Sequence, residues 1–129
     1  MNSAAADVMS YLSDNAVGTI GATSGWSLNT SKEPATPDST VTLYDTGGFA
    51  ADYDVNLYQP TIQIRIRGHN YQTVYAKANE IEALLIGPKS FTKNSFYVGA
   101  WNPGGFESLG YDENDRAIIV MNINLMREA

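Results

Sequence analysis

The chain has no cysteine, a single histidine and few basic residues. Without cysteine it forms neither disulfides nor thiolate metal sites. A second histidine is also missing, so a pair of histidines cannot hold a metal. No apolar run approaches the roughly 20 residues that a membrane span needs, and no charged region precedes an apolar one near the start. We therefore expect a soluble protein, with no membrane partner, that works in the cytoplasm where it is made.

Acidic residues outnumber basic ones. Lysine and arginine together number eight against 14 aspartates and glutamates, so the formal net charge is −6. Binding of nucleic acid through its phosphates needs clustered cations, and this charge argues against it. The length of 129 residues fits one domain spanning residues 1–129. Eight tyrosines, four phenylalanines and two tryptophans suit both a core and protein interfaces.

Two segments have the apolar spacing of an amphipathic helix. The first runs from Ser3 to Asp14, with Ser3 as its N-cap. The second runs from Tyr71 to Leu85, follows the N-cap candidate Asn70, and is stopped by Gly87-Pro88. We expect this second helix to cross over the sheet.

Strands are predicted where apolar and polar residues alternate. In Thr61–Arg67, the clearest case, three isoleucines face one way while Gln63, Arg65 and Arg67 face the other. Gly47-Gly48 is expected to end the strand before it, because paired glycines permit positive φ. The other predicted strands and loops are a short strand near Trp26 and Leu28, strands Val41–Asp45, Phe96–Trp101 and Arg116–Met126, and loops Thr30–Thr40 and Phe49–Gln59.

The order of these segments predicts the fold class. A helix, three strands, a second helix and two strands make an α+β fold. We expect a single small domain whose mostly antiparallel β-sheet carries a long crossover helix and an N-terminal helix. No internal repeat or second domain is found.

No segment has the pattern of a reaction centre. His69 with Asp52 or Asp54 and a serine is a formal candidate for a triad, but its position between strand and helix favours a cap or turn. Residues 112–115 do not form a calcium hand, because Ala117 and Ile123 stand where glycine and glutamate are needed. We interpret them as a solvated turn. No phosphate loop or dinucleotide motif is present. The sequence therefore predicts no enzyme, catalytic residue, metal or cofactor.

Arg65 and Arg67 stand on the outward face of a predicted strand. One interpretation is that both are solvated charges on an exposed sheet. The other is that this face meets an acidic surface of another subunit, since the planar guanidinium is favoured at interfaces. Both interpretations leave the arginines outside the core.

Taken together, the motifs resemble those of the minor capsid or tail-terminator family of long-tailed, siphovirus-like phages. The likeness covers most of the chain, and its motifs are structural rather than catalytic. The residues that carry it are Pro37-Asp38, Val41–Asp45 followed by Thr46-Gly47-Gly48, the run from Pro60 to Gly68, the helix Tyr71–Leu85 with Ala76 and Ala78, and Leu109-Gly110 with Asp112-Glu113 leading through Arg116.

The resemblance implies a virion structural protein of the tail or neck, assembled in the host cytoplasm. Its subunits would close into a ring, usually of six, that caps the tail tube, stops its polymerisation and joins tail to head. Implied partners are further copies of the chain, the tail tube protein and a head-completion or neck protein, while DNA passes through without specific binding. The alternatives are a neck or head-completion adaptor and, with less support, a small α+β enzyme or ligand-binding domain.

Particular residues are candidates for these contacts. Exposed aromatics and arginines suit a subunit interface, and acidic residues suit a ring lumen through which DNA slides. The interface candidates are Arg65, Arg67, Phe49, Tyr53 and Trp101, and the lumen candidates are Asp112, Glu113 and Asp115.

Overall fold

Two helices and eight strands are formed by the residues that a computed structural model describes, namely 2–52, 57–87 and 90–128. For residues 49–52 the structure gives the backbone pairing alone. The elements are α1 (Ala4–Asp14), β1 (Thr19–Ile20), β2 (Ser27–Thr30), β3 (Thr40–Asp52), β4 (Leu57–Gly68), α2 (Tyr71–Leu85), β5 (Phe91–Lys93), β6 (Ser95–Trp101), β7 (Glu107–Tyr111) and β8 (Ala117–Glu128).

The strands form one mostly antiparallel sheet in the order β1-β2-β3-β4-β8-β6-β5. The β1–β2 and β2–β3 pairs are parallel, and all the other pairs are antiparallel. β8 is paired with β4 along one edge, while β7 and β6 divide its other edge between them. The predicted α+β fold with an N-terminal helix and a crossover helix is confirmed.

Both predicted helix caps are present. Ser3 Oγ accepts a hydrogen bond from the Ala6 amide at 3.1 Å, and Asn70 Oδ1 accepts one from the Thr73 amide at 2.9 Å. Both helices pack on one face of the sheet, where the three isoleucines predicted to face inward are fully buried: Ile62, Ile64 and Ile66. Within the described residues, neither helix is long and apolar enough to span a membrane.

The glycine pair was wrongly predicted to end a strand. β3 continues through Gly47 and Gly48 to Asp52, and its register against β4 shifts between Asp45 and Gly48. Gly48 has φ of 138°, and a Cβ there would lie 2.3 Å from the Gln59 carbonyl oxygen. Glycine is therefore needed at this close approach, and it bends the strand rather than terminating it. Of the predicted loop Phe49–Gln59, residues 49–52 and 57–59 belong instead to β3 and β4, while residues 53–56 lie outside the described residues.

The late strands follow the prediction only in part. The strands predicted at Phe96–Trp101 and Arg116–Met126 are present as β6 and β8. β5 and β7 were missed. All five residues of β7 are exposed and a register shift interrupts its pairing, so its sequence shows no alternation between apolar and polar positions.

A buried polar cluster joins the first helix to two strands. Asp7 and Tyr97 are fully buried, and the Tyr97 hydroxyl donates to Asp7 Oδ2 at 2.6 Å. Arg127 Nη1 donates to the Tyr97 hydroxyl at 2.9 Å and to the Asn2 carbonyl at 2.9 Å. Asn94 Nδ2 donates to Asp7 Oδ1 at 3.0 Å. These bonds satisfy a carboxylate that is costly to bury alone.

The cluster makes stability depend on the Tyr97 proton. Burial raises the pKa of Tyr97, and the hydrogen bond to Asp7 adds to that rise because it requires the phenol proton. A raised folded-state pKa stabilises the fold fully below the ordinary tyrosine value near 10. That stability is lost as the pH rises above it.

We expect Tyr97→Phe to lower the unfolding free energy by about 1–3 kcal/mol at pH 7, because two hydrogen bonds are lost. Between pH 10 and 11 the wild type should lose about 1 kcal/mol more than the variant, which has no proton to release. Urea denaturation at each pH measures both effects. Tyr111→Phe at an exposed position is the matched control and should change stability by less than about 0.5 kcal/mol. Parallel pH profiles for the wild type and Tyr97→Phe would contradict the role of the proton.

Candidate interaction surfaces

Residues 31–39, which we call the strap, cover part of the sheet face opposite the helices. Arg67 on β4 holds the strap through its backbone. Its Nη2 donates to the carbonyl oxygens of Pro34 and Pro37, both at 2.8 Å, and its Nε donates to that of Asp38 at 3.1 Å. Arg67 is only 2% exposed. The strap therefore closes over the guanidinium and takes up most of its donors.

Two further arginines bind the strap. Arg116 Nη1 donates to the Ala35 carbonyl oxygen at 2.8 Å and lies 3.3 Å from Asp38 Oδ1. Arg65 Nε lies 3.2 Å from Glu33 Oε1, while Arg67 Nη1 lies 3.6 Å from Glu33 Oε2. Burial lowers the pKa of Arg67, and the Glu33 carboxylate opposes that fall. The strap and three arginines thus form one polar layer on this face.

The expectation that Arg67 lies on an open face is wrong. Alternation along β4 assigns Arg67 correctly to the face opposite the isoleucines, but it carries no information about what covers that face. Reversing Arg67 would disturb the fold of a single chain, so that change does not separate a subunit contact from the stability of the fold. Arg65 keeps about 30% of its side chain exposed and stays a candidate for contact with a partner.

Of the three lumen candidates, Asp112 is held by hydrogen bonds within its own turn, whereas Glu113 and Asp115 are exposed. Asp112 Oδ1 accepts from the amides of Asn114 and Arg116, and its Oδ2 accepts from Arg116 Nε at 2.8 Å. Burial alone would raise the pKa of Asp112, but the hydrogen bonds from Arg116 and Asn114 outweigh it and lower the pKa. Glu113 and Asp115 are exposed and form no ion pair within the described residues. The predicted turn is present, and Asp112 stabilises it.

An exposed apolar row lies on β6. Phe96, Val98 and Trp101 are each about 40% exposed. Tyr97 and Ala100 between them are buried, so the row faces away from the core. Contiguous exposed apolar surface of this kind is characteristic of interaction sites. Trp101 therefore stays an interface candidate, now with two neighbours that the sequence prediction omitted.

The remaining sequence candidates are only partly located. Phe49 lies on β3 opposite Gln59, with its side chain outside the described residues. Tyr53 falls outside them entirely. His69 is exposed in the turn before α2, with Nδ1 3.6 Å from Asp38 Oδ2. Across residues 2–52, 57–87 and 90–128, no group of three or more histidines, aspartates or glutamates is arranged to hold a metal.

A second aromatic surface lies on the exposed side of α2. The rings of Tyr71 and Tyr75 are 5.8 Å apart, and Phe106 meets Tyr75 edge-on at 5.4 Å. Both tyrosines are about 40% exposed, although the helical spacing places them beside the buried stripe of α2. A partner protein could bury them without any change in the helix.

Comparison with known proteins gives two findings. A family profile described as bacteriophage tail terminator protein matches residues 11–128. Among solved structures, a chain of the particle titled "Virion of native gene transfer agent (GTA) particle" is similar, with a TM-score of 0.72 and 16% identity over 98% of this chain and 96% of that chain. This likeness shows a shared fold along almost the whole chain. No curated protein sequence matches significantly.

Arg67→Met should lower the unfolding free energy by about 3 kcal/mol, because the strap carbonyls lose their donors at a covered site. Arg65→Met is the matched control. It loses one partly exposed ion pair and should cost less than about 1 kcal/mol. Urea denaturation compares the two, and hydrogen exchange should show faster exchange of strap amides in Arg67→Met alone. Equal losses of stability would contradict the clamping role of Arg67.

Proposed function

Because this chain belongs to the bacteriophage tail terminator protein family, we propose that it forms a ring of six copies that caps the tail tube, stops its polymerisation and joins tail to head. Membership of that family, matched over residues 11–128, is the observation that carries the proposal. The protein is a structural component of the virion tail. Capping and joining are mechanical tasks, and they require binding surfaces rather than a reaction centre.

The sheet offers backbone as well as side chains for binding. Along this edge of β3, β2 pairs with residues 40–43. Within the described residues no strand lies beside the rest of that β3 edge, residues 44–52. An unpaired edge exposes a row of amides and carbonyls to which another chain can add. This supports contact between subunits or with the tube through the β3–β4 hairpin, on which Phe49 lies.

The apolar row on β6 supports a second contact. Three neighbouring apolar side chains, Phe96, Val98 and Trp101, can be buried together by a partner. A protein that joins tail to head needs at least two surfaces besides those between its own subunits. The proposed partners are the tail tube protein and a head-completion or neck protein.

The purified protein should form a closed oligomer of six in native mass spectrometry or do so on contact with tail tubes. Added to polymerising tail tube protein, it should fix the tube length in proportion to its concentration, because capped ends no longer grow. Electron microscopy measures tube lengths. The point variant Trp101→Glu is expected to weaken binding to one partner, while Ala76→Glu, at an exposed position on α2, serves as the control for the added charge. Tubes of unchanged length, with binding only to head-side proteins, would favour the neck-adaptor alternative.

The charge distribution fits a passive passage for DNA. Six copies at −6 each carry a formal charge of −36. Every lysine and arginine in the described residues except Lys32 has an internal carboxylate partner. Glu113 and Asp115 remain free to line a lumen. A negatively charged lumen wall repels the DNA phosphates weakly and lets DNA slide.

We therefore expect no measurable affinity for duplex DNA at physiological salt. Fluorescence anisotropy with a labelled duplex tests this at 50 and 150 mM salt. As a positive control, replacing both Glu113 and Asp115 with Lys should introduce binding that weakens as salt rises. Tight binding of DNA by the wild type, weakened by salt, would contradict a passive lumen.

A further inference from the structure

A groove of about 430 Å³ opens at the β1–β2 side of the sheet. Its apolar lining comes from Met9 on α1, Ile20 on β1 and Leu28 on β2, with Pro34 of the strap at its border. Ile20 is 47% exposed. The groove thus exposes apolar surface that nothing in the described part of the chain covers.

Lys32, at the start of the strap, lines the same groove. Its side chain is exposed and has no hydrogen bond or ion pair within the described residues. The other described cations each pair with a carboxylate, as Arg65 does with Glu33 and Lys93 does with Asp14. The groove therefore combines apolar walls with an unpaired positive charge, and an occupant should present an apolar side chain beside an acid.

The opposite side of the sheet offers an exposed apolar side chain next to an exposed acidic one. β7 pairs only with β8, so its other edge is open within the described residues. Leu109 on β7 is 47% exposed, and Glu107 two residues earlier is exposed and pairs with no cation of the described segments. Glu107 lies opposite Val120 in register, on the face of the sheet that carries the strap.

The two surfaces lie on opposite sides of one subunit. β3, β4 and β8 separate β2 from β7, a distance of roughly 20 Å at the usual strand spacing. A ring is built by a heterologous contact, in which two different surfaces of each subunit meet and the contact repeats until the rotation closes. Complementary surfaces on opposite sides satisfy that requirement. A contact between identical patches would use either the groove or β7, but not both surfaces.

We propose that β7 of a second copy of this chain occupies the groove, with Leu109 against Ile20 and with Glu107 beside Lys32. The inference rests on the proposed ring and names its subunit contact. Burial of two exposed aliphatic side chains supplies the attraction, and the single charge pair fixes orientation.

Charge reversal tests the pairing. Lys32→Glu and Glu107→Lys should each weaken self-association at least about tenfold, because two like charges then meet. The double variant should restore it. So should an equimolar mixture of the two single variants, because alternating subunits then place opposite charges at every contact in a ring of even number. Analytical ultracentrifugation and native mass spectrometry measure assembly, and Glu128→Lys, exposed at the far end of β8, controls for net charge.

Cross-linking gives a second test that does not depend on charge. The chain has no cysteine, so introduced cysteines are the only thiols. Ile20→Cys mixed with Leu109→Cys should form disulfide-linked dimers of unlike variants on oxidation with diamide. A chain carrying both changes should form a ladder that ends at the closed ring. Circular dichroism confirms that each variant is folded.

The outcomes separate this contact from the proposed function. Rings that form equally well from both charge variants, without the specific cross-link, would overturn the contact and leave the ring intact. A wild type that stays monomeric and binds no tail tubes would overturn both. Loss of assembly in each single variant, with restoration in the mixture, would establish the contact.

Discussion

The central strand β4 is the constraint on which the rest of the structure depends. It lies between β3 and β8 and is paired with both along most of its length. Its side chains alternate between Ile62, Ile64 and Ile66 on one face and Gln63, Arg65 and Arg67 on the other. A shift of one residue in its register would exchange these two sets. Both the helical layer and the polar layer are therefore fixed by this strand.

The two faces of the sheet are covered by different chemistry. On one face, helices bury aliphatic side chains, as in most small domains. On the other, a strap without regular secondary structure is held by guanidinium groups that bind its carbonyl oxygens. Irregular backbone can be buried only if its polar groups are satisfied. Arginine suits this task because its planar fork reaches several carbonyls at once and keeps its charge.

This use of cations inside the fold shapes the surface that remains. Arg67, Arg116 and Arg127 are largely buried and act within the chain. Among the described residues, Glu107, Glu113 and Asp115 have no cation partner, and they lie on β7 and in the turn after it. The surface therefore keeps an excess of negative charge. It also carries the exposed aromatic and aliphatic side chains described above. A subunit with that surface is suited to binding other proteins.

Much of the architecture follows from local pattern. The alternation in β4 and β8, the spacing in both helices and their caps Ser3 and Asn70 are short-range features, and all of these were predicted correctly. The α+β class followed from their order. The family resemblance also rests on these segments, because its motifs are structural.

The errors arose where distant segments meet. Gly47-Gly48 reads locally as a turn, but pairing with β4 continues β3 through it as a bend. β7 has no alternation of its own and exists because β8 offers an edge. Arg67 reads as exposed until the strap, about 30 residues earlier in the chain, folds over it. Periodicity in the sequence determined which face the side chains of β4, β8 and the two helices occupy. Only the tertiary structure decided which faces are covered, because burial depends on contacts between residues far apart in the chain.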